Sequence, residues 1–282
     1  MQKQQAWKWK IEANTSWLNL HLDEIVQYKD LLYRFVRRDL LANYQQTILG
    51  PFWIMLQPIL TTVVYWMIFS KVAKISTDGI PPLLFYLPGI IIWSYFSDCL
   101  TGTMYTFLNN TAILSKVYFP RLIIPLSGVI AHSVRIIMQL VLFIGIYIFY
   151  LVTSETVHIS IYILLIPLLL LLTAAYSLGV GLIISVLTAR YRDIDYALQF
   201  ILRLYMFASP VVYPTSIVPE RYKFLFWLNP LTPIIETFRT ACFSNGSYHF
   251  GYFLISILST STILLTGIAL FKKKELSVMD II

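Results

Sequence analysis

LIIPLSGVIAHSVRIIMQLVLFIGIYIFYL, residues 122–151, contains one formal charge, Arg135, in a stretch longer than the ~20 apolar residues that carry a helix across a bilayer. Comparable runs cover 51–70, 83–104, 160–187, 196–212 and 249–271, which gives six spans. The composition agrees. Of 282 residues, 58% are hydrophobic and 12% charged, about half of the ~25% charged residues usual in soluble domains. The apolar residues form blocks rather than a helical or strand period, and the ten-residue alternation of a membrane β-barrel is absent. The fold class is therefore an all-α integral membrane protein with six transmembrane helices, an N-terminal amphipathic interface helix and an outer re-entrant helical hairpin. A soluble enzyme, a disordered chain and a disulfide scaffold are excluded.

Basic residues orient the spans. With the N-terminus inside, fourteen of the 21 Lys and Arg fall on inner segments, and five (Lys71, Lys74, Arg221, Lys223, Arg239) fall on outer loops. Arg135 and Arg203 lie within spans. Both termini are thus expected in the cytoplasm, and the net charge of +7 reads as topological bias rather than nucleic-acid binding. The domains follow: a cytoplasmic region 1–50, a membrane domain 51–271 and a cytoplasmic tail 272–282. No short apolar segment with a cleavage site precedes the first span, so a removable signal peptide is not expected. Cys99, in a span, and Cys242, outside the membrane, are expected to be unpaired.

Two segments outside the spans have structure of their own. Leu22, Ile25, Tyr28, Leu32, Phe35, Val36 and Leu40 make one apolar stripe, with Lys29, Asp30, Arg34, Arg37, Arg38 and Asp39 on other faces. That is an amphipathic helix at the inner interface, compatible with docking on another subunit. The outer connection 213–248 is punctuated by Pro214, Pro219, Pro230 and Pro233. It leaves two short apolar stretches, Glu220–Leu228 and Leu231–Phe243, too short to span, which read as a hairpin at or in the outer leaflet.

Nucleotide chemistry is missing. The nearest approach to a phosphate loop, Gly246-x4-Gly251, is followed by Tyr252 and Phe253 instead of lysine and a hydroxyl residue. The four histidines are far apart, with no zinc-binding pair, and Gly-x-Ser-x-Gly does not occur. No metal site or catalytic residue is expected.

What remains informative is polarity where it is costly. Asp98, Arg135 and Arg203 fall within spans, where a charge costs at least ~2.5–3.5 kcal/mol and faces a cavity or partner. Asp98 paired with one of the arginines, or contact with an anionic group in transit, would each account for them. The chain also holds 7 Trp, 19 Tyr and 18 Phe, more than two headgroup belts need. Tyr65, Trp66, Phe69, Tyr95, Phe96, Phe200, Tyr205 and Phe207 continue along spans. They read either as lipid-facing and core packing, or as a conduit whose rings touch sugar C–H faces while their polar atoms bond hydroxyls.

The segment Leu32-Tyr-Arg-Phe-Val-Arg-Arg-Asp39, followed by Tyr44-Gln-Gln-Thr-Ile-Leu-Gly-Pro-Phe-Trp-Ile-Met-Leu-Gln-Pro58, resembles the membrane permease of ABC polysaccharide exporters. Further matches follow in order: Leu87-Pro-Gly89 with Trp93, Ala189-Arg-Tyr-Arg-Asp193, Ser209-Pro-Val-Val-Tyr213 and Asn229-Pro-Leu-Thr-Pro-Ile-Ile-Glu-Thr-Phe-Arg239. The resemblance implies a homodimer in the bacterial cytoplasmic (inner) membrane, with two copies of a separate cytoplasmic ATPase that binds ATP and Mg. Its cargo would be a lipid-linked polysaccharide such as O antigen, capsule or teichoic acid. The N-terminal helix and the loop holding Asn109, Asn110, Leu114 and Lys116 would dock on the ATPase. The outer hairpin would correspond to external gate helices.

On this reading Arg37, Arg38, Arg190 and Arg192 contact the lipid pyrophosphate, because guanidinium matches phosphate oxygens bidentately. The polymer then passes rings of the first, second and fifth spans. A permease for drugs or small lipids would share fold and partner. A membrane transferase would need a clustered carboxylate or histidine site, which the sequence does not offer.

Overall fold

The computed structural model describes residues 26–44, 50, 52–153, 160–191, 193–243 and 250–279. Leu22, Ile25, Arg192 and the 45–49 portion of the first motif lie outside them. Regular structure among the described residues is helical throughout. Helix α1 (Lys29–Tyr44) precedes α2 (Phe52–Tyr65), which widens into a π-helical end, Trp66–Val72. Then come α3 (Pro82–Met104), α4 (Thr106–Leu114) and α5 (Ile123–Thr153). A 3-10 turn, Ile161–Leu165, leads into α6 (Ile166–Thr188), followed by α7 (Asp193–Phe207). Helices α8 (Glu220–Leu228), α9 (Leu231–Phe243) and α10 (Phe250–Met279) complete the order.

Five paths are long and apolar enough to cross a bilayer: Phe52–Val72, Pro82–Met104, Ile123–Thr153, Ile161–Thr188 and Phe250–Glu275. They coincide with five of the six expected spans, and the chain is a multi-pass membrane protein. The remaining expected span, 196–212, differs. Its helix, α7, has 15 residues, about 22 Å at ~1.5 Å each, less than the ~30 Å hydrocarbon core. The stop is local: Pro210 cannot donate to the ladder and disfavours helical backbone at Ser209. The chain turns there, with the Val211 amide donating to the Ser209 carbonyl at 2.7 Å. At the other end of the chain, α10 continues past the apolar run through Lys272–Lys274 to Met279, so part of the expected tail is helical.

The axle of the bundle is α3. In its most apolar window 72% of residues are buried inside the protein, against 17% for α2 and 22% for α5 and α10. Its rings and hydroxyls key into both flanking helices. Phe96 stacks on Tyr176 of α6 at 5.1 Å, and the Tyr95 and Ser133 hydroxyls are 2.6 Å apart across α5. With lipid as solvent, burial of apolar surface does not favour helix association, so close contact between small residues matters more. It is most marked where α6 crosses α10. A Cβ on Gly179 would sit 2.8 Å from the Leu264 Cα, and one on Gly267 would run into the Gly179 carbonyl.

Helix α1 lies against the inner part of α5. Phe35 is buried, 5.8 Å from Phe119, while Lys29, Asp30, Arg34, Arg37 and Arg38 are exposed. At the outer end the two arms of the hairpin behave differently. In α9 twelve of 13 residues are buried, and in α8 none is. Cys99 and Cys242 are both buried and free.

Gly179→Val should force α6 and α10 apart. Overpacking costs ~1–3 kcal/mol where side chains can shift, and here the obstacle is backbone, so the loss lies at or above that range. Gly145→Ala, in α5 with open space at its Cβ position, should change stability by less than ~1 kcal/mol. Thermal unfolding of the purified variants in detergent measures both.

Candidate functional site

Toward the C-terminal end of α3, Asp98 meets Arg135 of α5. The Arg135 Nη1 donates to the Asp98 Oδ2 at 3.0 Å, and its Nη2 donates to the Gln57 Oε1 of α2 at 3.2 Å. One guanidinium thus joins three helices. Its Nε is buried without a partner. Beside the pair is a cavity of about 250 Å³ whose lining includes Gln57, Tyr65, Trp93, Ser97 and Gln139. Of the two arginines that could have paired with Asp98, Arg203 is not the one that does. It is exposed on α7, and no carboxylate among the described residues pairs with it. The helix turns it away from the bundle.

The aromatic residues separate into three groups. Tyr95 (4% exposed) and Phe96 (1%) pack inside α3, α5 and α6. Both were expected to line a conduit, and the structure buries them between packed helices. Tyr65, Trp66 and Phe69 are half-buried along α2, with the Tyr65 hydroxyl 3.6 Å from the Met206 Sδ of α7. On α7, Phe200 (62%) and Phe207 (56%) are exposed. Tyr205 turns inward, its hydroxyl 2.9 Å from that of Tyr176 and 2.5 Å from the Asn229 Oδ1.

The outer hairpin is organised by a residue that sequence reading placed among exposed outer charges. Arg239 is 2% exposed, the largest fully buried side chain. Its Nη2 donates to the Val211 carbonyl at 2.9 Å, its Nε to the Phe85 carbonyl at 3.3 Å and its Nη1 to the Glu236 Oε1 at 3.1 Å. The guanidinium carbon lies 3.8 Å from the centre of the Phe85 ring. Burial pushes the Glu236 carboxyl above its ordinary range, against the downward pull of Arg239. Room for this comes from Gly89, whose Cβ would sit 2.8 Å from the Val211 carbonyl oxygen. Leu87-Pro-Gly89, Ser209-Pro-Val-Val-Tyr213 and the segment ending at Arg239 therefore meet at one point. The sequence signal was available: a single Arg three residues after a Glu, inside an apolar stretch.

The ABC-2 type transporter family matches residues 30–243. The chain belongs to that family. Relatives share its length as well as its pattern. It is 28% identical over 255 residues to the O-antigen export system permease protein RfbA of Klebsiella pneumoniae, covering 90% of this chain and 95% of the relative. A protein of the same name from Myxococcus xanthus is 27% identical over 218 residues, 77% and 81% of the two chains. The polysialic acid transport protein KpsM of Escherichia coli is 24% identical over 249 residues, 84% and 91%.

The part of this ABC-2 transporter chain that the family matches runs from α1 to the end of α9, so it contains the ion pair, the cavity and the Arg239 cluster. Along and just after α4, Asn109 and Lys116 are exposed, whereas Asn110 and Leu114 are buried. The latter two were expected to contact an ATPase. Within α4 the Asn110 side-chain amide donates to the Thr106 carbonyl at 3.0 Å. The more prominent feature lies just beyond, where Val117 and Tyr118 are exposed at 58% and 85%. Arg37 and Arg190 are exposed. Arg38 bonds Asp39 at 2.8 Å and lies 4.7 Å from the centre of the Phe35 ring. Among the described residues no cluster of three metal-ligating side chains occurs.

Arg239→Met leaves Glu236 and the Val211 and Phe85 carbonyls without their donor, so a loss of ~3–5 kcal/mol is expected. Arg239→Lys restores the charge without the planar fork and should recover only part of it. For the intramembrane pair, Asp98→Ala and Arg135→Ala should each destabilise, and the double variant should lose less than the sum of the two. Denaturation of the four proteins closes the cycle, and strict additivity would refute coupling.

Proposed function

We propose that this chain is the permease subunit of an ATP-driven exporter that moves a lipid-linked polysaccharide outward across the bacterial cytoplasmic membrane. Two copies form the pathway, two ATPase subunits attach on the inner side, and both termini are cytoplasmic. The names of the relatives support the cargo class, and favour it over drugs or small lipids.

The observation that supports a conduit most directly is the outer stripe of α7. Tyr196, Phe200, Arg203 and Phe207 recur at four, three and four residues and are all exposed. An arginine facing acyl chains in the spanning region is costly, so a stripe of this kind faces a hydrated path or a protein partner. Tyr65, Trp66 and Phe69 extend the aromatic lining along α2. Rings offer a sliding polymer many weak contacts of ~0.5–1.5 kcal/mol and no strong one.

On the inner side, the exposure of Arg37 and Arg190 supports their contact with the lipid pyrophosphate, with Arg38 partly engaged by Asp39. Arg192 is assigned the same role from sequence. ATP binding in the partner reaches the permease through Asn109, Lys116 and the exposed Val117–Tyr118 tip, as well as through α1.

Phe200→Ala and Phe207→Ala should each lower polymer export by ~2- to 10-fold, the value of one ring contact, with assembly of the complex unchanged. Surface polymer on cells depleted of the native chain gives the readout. Full export in both variants would overturn the α7 conduit. Tyr118→Asp should reduce co-purification of the ATPase while leaving the permease in the membrane.

A further inference from the structure

We propose that the cavity beside the Asp98–Arg135 pair is a saccharide subsite that holds one sugar ring of the transported polymer. The inference rests on the polysaccharide reading above and gives it a specific place.

The cavity's wall has unused hydrogen-bonding capacity of both signs. Arg135 spends Nη1 on Asp98 and Nη2 on Gln57. Among the described residues, the Asp98 Oδ1, the Ser97 hydroxyl and the amide N–H groups of Gln57 and Gln139 have no partner. The formal charges on the wall, Asp98 and Arg135, compensate each other. Trp93 and Tyr65 supply flat apolar surface beside these groups.

Each simpler occupant fits less well. An acyl chain would leave the free donors and acceptors desolvated and unpaired. Phosphate would meet a guanidinium already neutralised, with a carboxylate beside it. A cation would find a single carboxylate, already bonded to an arginine. Hydroxyl groups both donate and accept, so a sugar ring can satisfy a mixed lining while its C–H face covers an aromatic ring.

The size agrees. About 250 Å³ holds about eight waters at ~30 Å³ each and lies below the ~300–1,000 Å³ of drug-sized sites. That suits one ring rather than a chain segment. The cavity also adjoins the proposed path, because Met206 of α7 forms part of its lining.

Ser97→Cys gives a reporter in the wall, because the native Cys99 and Cys242 are each 1% exposed. In the intact permease–ATPase complex in nanodiscs, a small methanethiosulfonate reagent should label it. Polysaccharide released by mild acid from the source cells should slow that labelling, and inorganic phosphate should not. Adding Gln57→Ala should raise the half-protecting polysaccharide concentration by ~10-fold, the size of one hydrogen bond to a charged network. If Ser97→Cys does not assemble, Thr61→Cys in the same wall replaces it.

Labelling that polysaccharide leaves unchanged, while Phe200→Cys on α7 is protected, would overturn the subsite and leave the exporter reading standing. Protection by phosphate would replace it with an anion site. No labelling at either wall position would mean a closed void, which also overturns it. The exporter reading fails separately, if cells lacking this chain still display the polymer.

Discussion

A guanidinium that is 2% exposed inside an apolar helix bundle constrains everything around it. Arg239 cannot lose its charge, and in this environment each unpaired N–H would be costly. Its donors go to backbone carbonyls at Phe85 and Val211 and to the carboxylate of Glu236. Those carbonyls belong to a spanning helix and to the turn after α7, so one side chain sets the depth of α9 against both. The chain can approach so closely only because position 89 has no side chain. Much of the outer third of the bundle follows from satisfying this one cation.

The same rule at the contact of α3 with α5 has a less complete outcome. Arg135 ties α2, α3 and α5 together, yet it keeps one N–H without a partner and borders a polar cavity. A site selected only for stability would be better filled by apolar residues of similar volume, since a buried ion pair gains little over them. A lining with unpaired polar groups, the Asp98 Oδ1 and the Gln57 amide among them, is what a binding site for polar groups requires. The two arginines therefore mark different roles by how fully they are paired.

Much of this was legible in the sequence, and the exceptions have physical causes. Span positions and the helices at 220–228 and 231–243 follow from apolar blocks and proline punctuation, which are local signals. Whether an aromatic faces a core or a path is not local. Phe96 and Phe200 sit in similar apolar contexts, but Phe96 stacks on Tyr176 while Phe200 is on the open side of an amphipathic helix. Likewise, counting Arg239 as an outer charge missed its burial, because its acceptors are carbonyls 154 and 28 positions away. The π-helical widening at Trp66–Val72 has no signature that we can identify in the residues themselves.

How strongly each element is held bears on which parts can move. Helix α9 is enclosed by the bundle and anchored by charge-assisted bonds. Helix α7 packs mainly on α6, sets the Tyr205 ring against Trp93 and Phe96 of α3, and is otherwise held by hydroxyl contacts: Tyr105 to Asp195 at its N-terminal end, and Tyr205 to Tyr176 and Asn229 at the other. Neutral hydrogen bonds contribute ~0.5–1.5 kcal/mol each, and those to a charged partner up to ~3. Displacing α7 therefore costs less than displacing α9. Asn229 makes the difference consequential. It accepts from Tyr205, its amide donates to the Ser209 hydroxyl at 2.9 Å, and it caps the Leu231 amide at 3.0 Å. It lies at the joint between α8, which has no buried residue, and the fixed α9. A shift of α7 driven from the inner face would reach that joint first and would meet its least resistance in α8.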